Sequence, residues 1–258
     1  MLDALVVDPG SAAGLGRRDP RDALGLPGKE AASKQLASLL EELSSLQERL
    51  YAEGRRSVLL VLQGLDASGK DGTIRAVFRG VNPQGCSVTS FKAPTPVELA
   101  HDFLWRIHAH TPARGMIGIF NRSHYEDVVT VGVLGLTPAR VWRRRPHRIV
   151  EFEQLLDQEG TTVLKCFLHV SAEEQRKRLA ERLADPSKRW KYNAKDEETS
   201  RRFEEFTAAY EEALTATSTQ EAHWYIIPAD RNWVRNLAVA TVLVETLRRL
   251  DPRFPNVA

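Results

Sequence analysis

Gln63-Gly64-Leu65-Asp66-Ala67-Ser68-Gly69-Lys70-Asp71-Gly72-Thr73 follows the apolar run Val58 to Leu62 and leads into residues that suit a helix. The order is strand, glycine loop, helix. Gly64 and Gly69 bracket four residues and Lys70 follows, the spacing of a phosphate-binding loop in which backbone N–H groups and a helix N-terminus surround phosphoryl oxygens. Glycine lets the backbone come close, and the lysine adds a movable positive charge. Where Ser or Thr usually reaches Mg²⁺, this chain has Asp71, with Thr73 two residues on; a further acid, Asp66, sits inside the loop. Carboxylates beside bound phosphates imply a cation or a transferred proton between them, because bare like charges repel. A plain strand-to-helix turn with two glycines and a lysine is the alternative, and the flanking strand and helix favour the phosphate loop over it.

Outward from the loop, the chain alternates strand and helix. Leu36, Leu39, Leu40, Leu43, Leu46 and Leu50 recur at helical spacing after Glu30, and Gly54 is a fitting C-terminal stop. That stripe suits either a coiled-coil seam or packing on the chain's own core. Residues 1–28, with Gly10, Gly14, Gly16, Pro20, Gly25, Pro27 and Gly28, read as an irregular arm. Beyond the loop, Ile74 to Val81 continues a helix that Asn82-Pro83-Gln84-Gly85 ends. Further strands are expected at Cys86 to Phe91, Gly115 to Phe120, Thr162 to Val170 and Trp224 to Pro228. Helices are expected after the capping-box pattern Thr95-Pro96-Val97-Glu98 as far as Ile107, over 138–157, after Ser171-Ala172-Glu173-Glu174, along Phe203, Phe206, Tyr210 and Leu214, and over Asn232 to Leu250. Near-continuously apolar strands between helices predict an α/β fold, a parallel sheet covered on both faces, in one domain over 29–258. Ligands in such sheets sit beyond the carboxyl ends of the strands. The glycine loop, Phe91-Lys92 and Asn121-Arg122 therefore converge on one cleft.

The 258 residues suffice for one sizeable core. Lys and Arg (36) exceed Asp and Glu (34) by only two, so no nucleic-acid partner is indicated and basic function must come from local clusters. Cys86 and Cys166 lie in strand-like segments without metal or disulfide spacing, which suits buried thiols in a reducing cytoplasm. Met1 to Asp8 is too short and acidic for a signal peptide, and no apolar run approaches a membrane span of roughly 18 residues.

Phosphoryl transfer asks a protein mainly to position two reactants and neutralise charge. Lys70 is the candidate for holding the transferring phosphates, Asp66 for holding Mg²⁺ and orienting the acceptor oxygen, and Arg122 for stabilising charge at the third strand end. Asn121 stands where many phosphate-loop proteins place a Mg²⁺-linked aspartate. A neutral amide cannot balance a metal, so that duty shifts to Asp66, Glu126 or Asp127. The alternative for Asn121-Arg122 is a strand-end turn with a surface salt bridge. Arg140, Arg143, Arg144, Arg145, His147 and Arg148 form the densest basic cluster, either a solvated helix face or part of a channel for a polyanion. A second group, Arg176, Lys177, Arg178, Arg182, Lys188, Arg189, Trp190 and Lys191, falls where phosphate-loop kinases carry a mobile lid that excludes water. The histidines show no metal-ligand spacing.

Gly64 to Thr73, Phe91-Lys92, His101-Asp102-Phe103-Leu104-Trp105-Arg106-Ile107, Phe120 to Asp127 and Arg189-Trp190-Lys191-Tyr192-Asn193 together resemble the polyphosphate kinase 2 family, over about Leu36 to Pro255. The resemblance implies a P-loop kinase-like three-layer sandwich with a five-stranded parallel sheet and a helical lid at about 178–200. It also implies phosphoryl transfer between inorganic polyphosphate and a nucleotide with Mg²⁺. Asp66, Lys70, Arg122, Asn121 and Glu126 are the implied catalytic positions, with Asp66 carrying the metal. Candidate phosphate and nucleotide contacts are Gly64, Ala67, Ser68, Gly69, Lys70, Asp71, Gly72, Thr73, Arg75, Lys92, Arg106 and Arg122, with Arg178, Arg182, Arg189 and Lys191 from the lid. Asn121-Arg122 with Glu126 resembles the subgroup that accepts both AMP and ADP, giving ADP and ATP. From the leucine-rich first helix, a dimer or tetramer is expected. An ATP-dependent nucleoside monophosphate kinase and a non-catalytic nucleotide-binding module are the competing readings.

Overall fold

The computed structural model describes residues 1–187, 189–191 and 194–256, with the backbone alone for Lys191 and residues 194–197. Its strands are β1 (Val6–Val7), β2 (Ser57–Gln63), β3 (Cys86–Ser90), β4 (Ile117–Asn121), β5 (Thr161–His169) and β6 (Trp224–Pro228). Its helices are α1 (Lys29–Glu53), α2 (Lys70–Val77), α3 (Pro96–Leu99), α4 (Trp105–His108), α5 (Val129–Val133), α6 (Ala139–Trp142), α7 (Arg145–Gln158), α8 (Ala172–Ala184), α9 (Ala194–Arg201), α10 (Phe203–Thr217) and α11 (Asn232–Leu250).

Among the described residues the strands form one six-stranded sheet in the order β1-β6-β5-β2-β4-β3. Strands β2 to β6 are parallel, and β2 pairs with β5 on one side and β4 on the other. All seven residues of β2 are buried, as its unbroken Ser-Val-Leu-Leu-Val-Leu-Gln run requires when helices cover both faces. The sixth strand corrects the expectation of five. Val6 and Val7 pair antiparallel with Tyr225 and Trp224, so the arm is not wholly irregular. Two residues carry no readable period. Tertiary contacts hold them in place: Arg18 donates to the carbonyls of Ala4 (2.7 Å) and Val6 (2.8 Å).

Helix α1 runs until Gly54 takes φ +62° and closes it. Its Leu43, Leu46 and Leu50 are buried, and Arg248 of α11 pairs with its Glu42. The leucine stripe thus packs within the chain and is not a free seam. The other two corrections are broken helices. Between α3 and α4, Asp102 Oδ1 accepts the Leu104 N–H (2.9 Å), a local bond that competes with a helical ladder. Within 138–157, α6 stops and α7 restarts at Arg145, because Pro146 brings no N–H to a continuing ladder but fits a first turn. Burial pushes the Cys86 thiol up to about 11 and the Cys166 thiol up to about 12, as suits free, unreactive cysteines. No described helix is long and apolar enough to cross a membrane.

Candidate active site

The chain leaves β2 at Gln63 and turns through Gly64 to Gly69 before α2 begins at Lys70. Gly64 has φ +147° and Gly69 φ +104°. A Cβ on Gly64 would lie 2.8 Å from the Leu168 carbonyl, and one on Gly69 only 2.0 Å from Arg235 Nη1, so both positions require glycine. Side chains hold five consecutive carbonyls of this turn. Lys70 Nζ donates to Gly64 O (2.6 Å) and Leu65 O (3.1 Å), and Gln175 Nε2 donates to Asp66 O (3.1 Å). Arg178 Nη1 donates to Ala67 O (3.1 Å) and Ser68 O (3.2 Å), and Arg235 Nη1 donates to Ser68 O (3.2 Å). The carbonyls of Asp66, Ala67 and Ser68 are thus taken up by α8 and α11, the Ser68 N–H closes a turn on Leu65 O (3.1 Å), and the N-terminus of α2 adds partial positive charge at the loop.

The end of β4 supplies the second wall. Arg122, just past Asn121, takes φ +63° and pairs with Asp66 and, at 3.4 Å, with Glu126. Glu126 also accepts from Thr130 Oγ1 (2.6 Å). In the amide orientation that satisfies both of its groups, Gln63 donates to Glu126 Oε1 (3.2 Å) and accepts from the Ser123 N–H (3.1 Å). Asn121 Nδ2 donates to Asp71 Oδ1 (2.8 Å), which ties the first turn of α2 to β4. Arg106 is buried; it donates to Lys92 O (2.8 Å), meets Asp127 at 3.5 Å and lies over the Phe91 ring. It fixes the backbone that carries Lys92, whose own side chain is exposed.

Beneath the β4 turn lies a charged cluster without access to water. Lys165 Nζ, on β5, donates to Glu153 Oε2 (2.6 Å), Thr217 O (2.6 Å) and Tyr125 Oη (3.2 Å). Tyr125 Oη donates to Glu153 Oε1 (2.8 Å), and His124 Nε2 lies 3.3 Å from the same oxygen. Burial lowers the Lys165 pKa, and Glu153 opposes that pull. Burial also acts to raise the Glu153 carboxyl, but Lys165 and His124 hold it below its ordinary value. His124 and Tyr125 adjoin Arg122 and Glu126 in sequence, so this cluster anchors the turn that carries them.

Lys70 is 8 % exposed, and its pKa is pushed down to about 8, by burial first and then by Arg122. The folded value lies below the unfolded 10.5, so the unfolded chain holds more protons between the two and stability rises with pH across that interval. Anion binding follows the opposite course. Affinity for inorganic tripolyphosphate is expected to fall as pH rises through about 8, where the free ammonium loses its proton. Calorimetric titration across that range checks this, and a flat profile would contradict it.

The structure brings Asp66, Lys70, Asp71, Asn121, Arg122 and Glu126 together over the ends of β2 and β4. Thr73 Oγ1 donates to Gly69 O (3.1 Å), so its hydroxyl is engaged within α2. Arg75 is exposed on the same helix. In the segment expected as a lid, Arg182 is half-buried and Arg189 Nε donates to Leu183 O (3.1 Å) at the end of α8. The side chain of Lys191, and all of Lys188, Tyr192 and Asn193, lie outside the described residues. Gln175 and Arg235 were not anticipated. Applying the strand-end rule to β5 and β6 would have pointed to both, since they follow those strands within a turn or two.

A profile of the family described as Polyphosphate kinase 2 (PPK2) matches residues 27–255. The chain belongs to the polyphosphate kinase 2 family. It is 53 % identical, over 96 % of its length and 94 % of the relative's, to the AMP/ADP-polyphosphate phosphotransferase of Meiothermus ruber. It is 44 % identical to the ADP-polyphosphate phosphotransferase of Rhodopseudomonas palustris, over 88 % of this chain and 83 % of that one. The crystal structure of polyphosphate kinase 2 from Arthrobacter aurescens TC1 superposes with a TM-score of 0.94 at 40 % identity, covering 99 % of this chain and 91 % of that chain. The match to the polyphosphate kinase 2 family covers the five parallel strands and the glycine loop, and it starts only at the end of the arm that supplies β1.

Proposed function

We propose that this chain transfers a phosphoryl group between inorganic polyphosphate and an adenine nucleotide, taking AMP to ADP and ADP to ATP, reversibly and with Mg²⁺. The observation that carries the reading is the convergence of Asp66, Lys70, Arg122 and Glu126 on the glycine loop that opens α2. An attacking phosphate and a leaving phosphate are both anionic, so catalysis here is alignment plus neutralisation. Lys70 and the loop N–H groups would hold the phosphate chain, and Arg122 would sit across the transferring group. Between them, Asp66 would orient the incoming oxygen.

The donor set fits Mg²⁺. Asp66 offers a hard carboxylate beside the loop, whereas no group of three or more His, Cys, Asp or Glu side chains forms a cage among the described residues. A cation shared between one or two carboxylates and phosphate oxygens is the usual arrangement for this metal. Bound there, it would supply charge neutralisation between donor and acceptor. Asn121, whose amide donates to Asp71, is uncharged, so Asp66 and Glu126 beside Arg122 are left to supply the negative charge. Acceptance of both AMP and ADP is supported by the name of the Meiothermus ruber relative and by the Asn121, Arg122 and Glu126 set. We read residues 29–258 as one kinase-like domain with its lid at about 178–200, acting in the cytoplasm as a dimer or tetramer.

The test supplies AMP or ADP, Mg²⁺ and polyphosphate with no ATP. ATP is expected from both acceptors. Failure with polyphosphate, while ATP plus AMP turns over, would replace the reading with an ATP-dependent monophosphate kinase. Raising ionic strength should weaken polyphosphate more than nucleotide, because each exposed ionic contact is screened.

A further inference from the structure

Arg178 sits at the head of the lid segment, where a basic side chain would be expected to meet polyphosphate. Its guanidinium is instead committed to the protein. Nε donates to Glu174 Oε1 (2.9 Å), Nη1 to Ala67 O and Ser68 O, and Nη2 to Ala229 O (2.7 Å) and Asp230 O (2.8 Å). Four backbone carbonyls and a carboxylate thus ring this cation. A phosphate arriving from that side would meet oxygen atoms of its own sign. Only 13 % of the side chain is exposed.

The second arginine lies deeper. Arg235 is 3 % exposed, donates to Ser68 O and to Asn232 Oδ1 (2.8 Å), and packs where a Cβ on Gly69 would be. The two guanidiniums therefore approach the same carbonyl, Ser68 O, from α8 and from α11. Like charges this close repel, and the carbonyls between them offset that cost. Gln175, three residues before Arg178 on α8, holds the neighbouring Asp66 carbonyl.

We infer that Arg178 and Arg235 are positioning residues: a two-arginine clamp on the back of the phosphate loop, stapling Ala67 and Ser68 to the turn after β6 so that the loop's N–H groups are aimed before substrate arrives. The inference rests on the proposed phosphoryl transfer. It differs in assigning Arg178 to the loop and not to polyphosphate. A planar fork bridging four carbonyls cannot be copied by the single point of a lysine ammonium.

The experiment measures steady-state kinetics of Arg178→Gln and Arg178→Lys beside wild type, with polyphosphate and AMP varied separately and with salt varied. Expected is a fall of about 10- to 100-fold in kcat for both variants, in the range for a lost positioning contact. The KM for polyphosphate should stay within about threefold, with an unchanged dependence of log KM on log salt, since no phosphate contact is removed. A raised polyphosphate KM with a shallower salt slope would make Arg178 a phosphate ligand and overturn the clamp. Full activity in Arg178→Lys would overturn it too, because charge alone would then suffice, as would a lower melting temperature with unchanged kcat. If Arg178→Gln does not fold, the lysine variant decides. The wild-type rate in the same assay reports on the function. Should wild type work only with ATP as donor, the variant-to-wild-type ratio is taken with ATP and still judges the clamp.

Discussion

Replacing Lys70 by methionine is expected to lower kcat by roughly two to three orders of magnitude, the scale for losing a transition-state electrostatic contact. The ammonium is buried and already desolvated, so its attraction for a phosphate is not diluted by water. Methionine keeps most of the apolar stem, and the charge is what goes. The Gly64 carbonyl also loses its side-chain donor and that of Leu65 keeps only the Ser68 N–H among the bonds described, so the loop that Lys70 braces in the free state loosens. Asp66→Asn removes the carboxylate that pairs with Arg122 and should have an effect of similar size. Assays with AMP and polyphosphate, alongside circular dichroism to establish folding, check both. A folded variant within a few-fold of wild type would take that residue out of the chemistry.

The largest stability effect is expected at Lys165→Met. Both Lys165 and Glu153 are essentially inaccessible. Removing the cation leaves a buried carboxylate supported, among the described residues, by Tyr125 and His124, and breaking a buried pair in this way costs about 3–5 kcal/mol. At roughly 2–4 °C per kcal/mol for a chain of this class, the melting temperature should fall by about 6–20 °C. Combining Lys165→Met with Glu153→Leu should recover much of that, since two apolar groups need no mutual compensation. Thermal melts of the four chains give the cycle, and a double variant no better than the single would argue against an ion pair at the centre. The cluster also sets an acid limit. The folded Glu153 carboxyl lies below its ordinary value of 4.5, so its contribution is complete above that value and disappears as pH falls through the folded one.

The parallel strands and the loop were legible because their signals are local. Each is a contiguous apolar run, and Gly64 to Lys70 carries its meaning in spacing alone. Strand β1 was not legible, since two valines acquire their strand geometry only from β6. The helix breaks at Asp102 and Pro146 turned on single residues inside otherwise periodic stretches. Among the site residues, Asp66, Lys70, Arg122 and Glu126 could be found because they sit in or beside strand-end motifs. Arg178 illustrates the limit: helical spacing says which residues share a face, and only the packing of α8 on the loop says what that face meets. Lys165, a charge inside Leu164-Lys165-Cys166, was a readable signal of a buried partner, but Glu153 on α7 could not be named from the chain.

The antiparallel pairing of Val6 and Val7 with β6 has a bearing on how this molecule behaves in crowded solution. It occupies the edge ladder of β6 at Trp224 and Tyr225, and Ile226 N–H adds a bond to Leu5 O (2.8 Å), all with the protein's own backbone. A bare, flat, hydrophobic margin there would invite cross-molecule stacking. The opening residues thereby serve as a selvedge along the β6 margin of the sheet. Shortening them for expression would be felt first as lost solubility, before any change in phosphate chemistry.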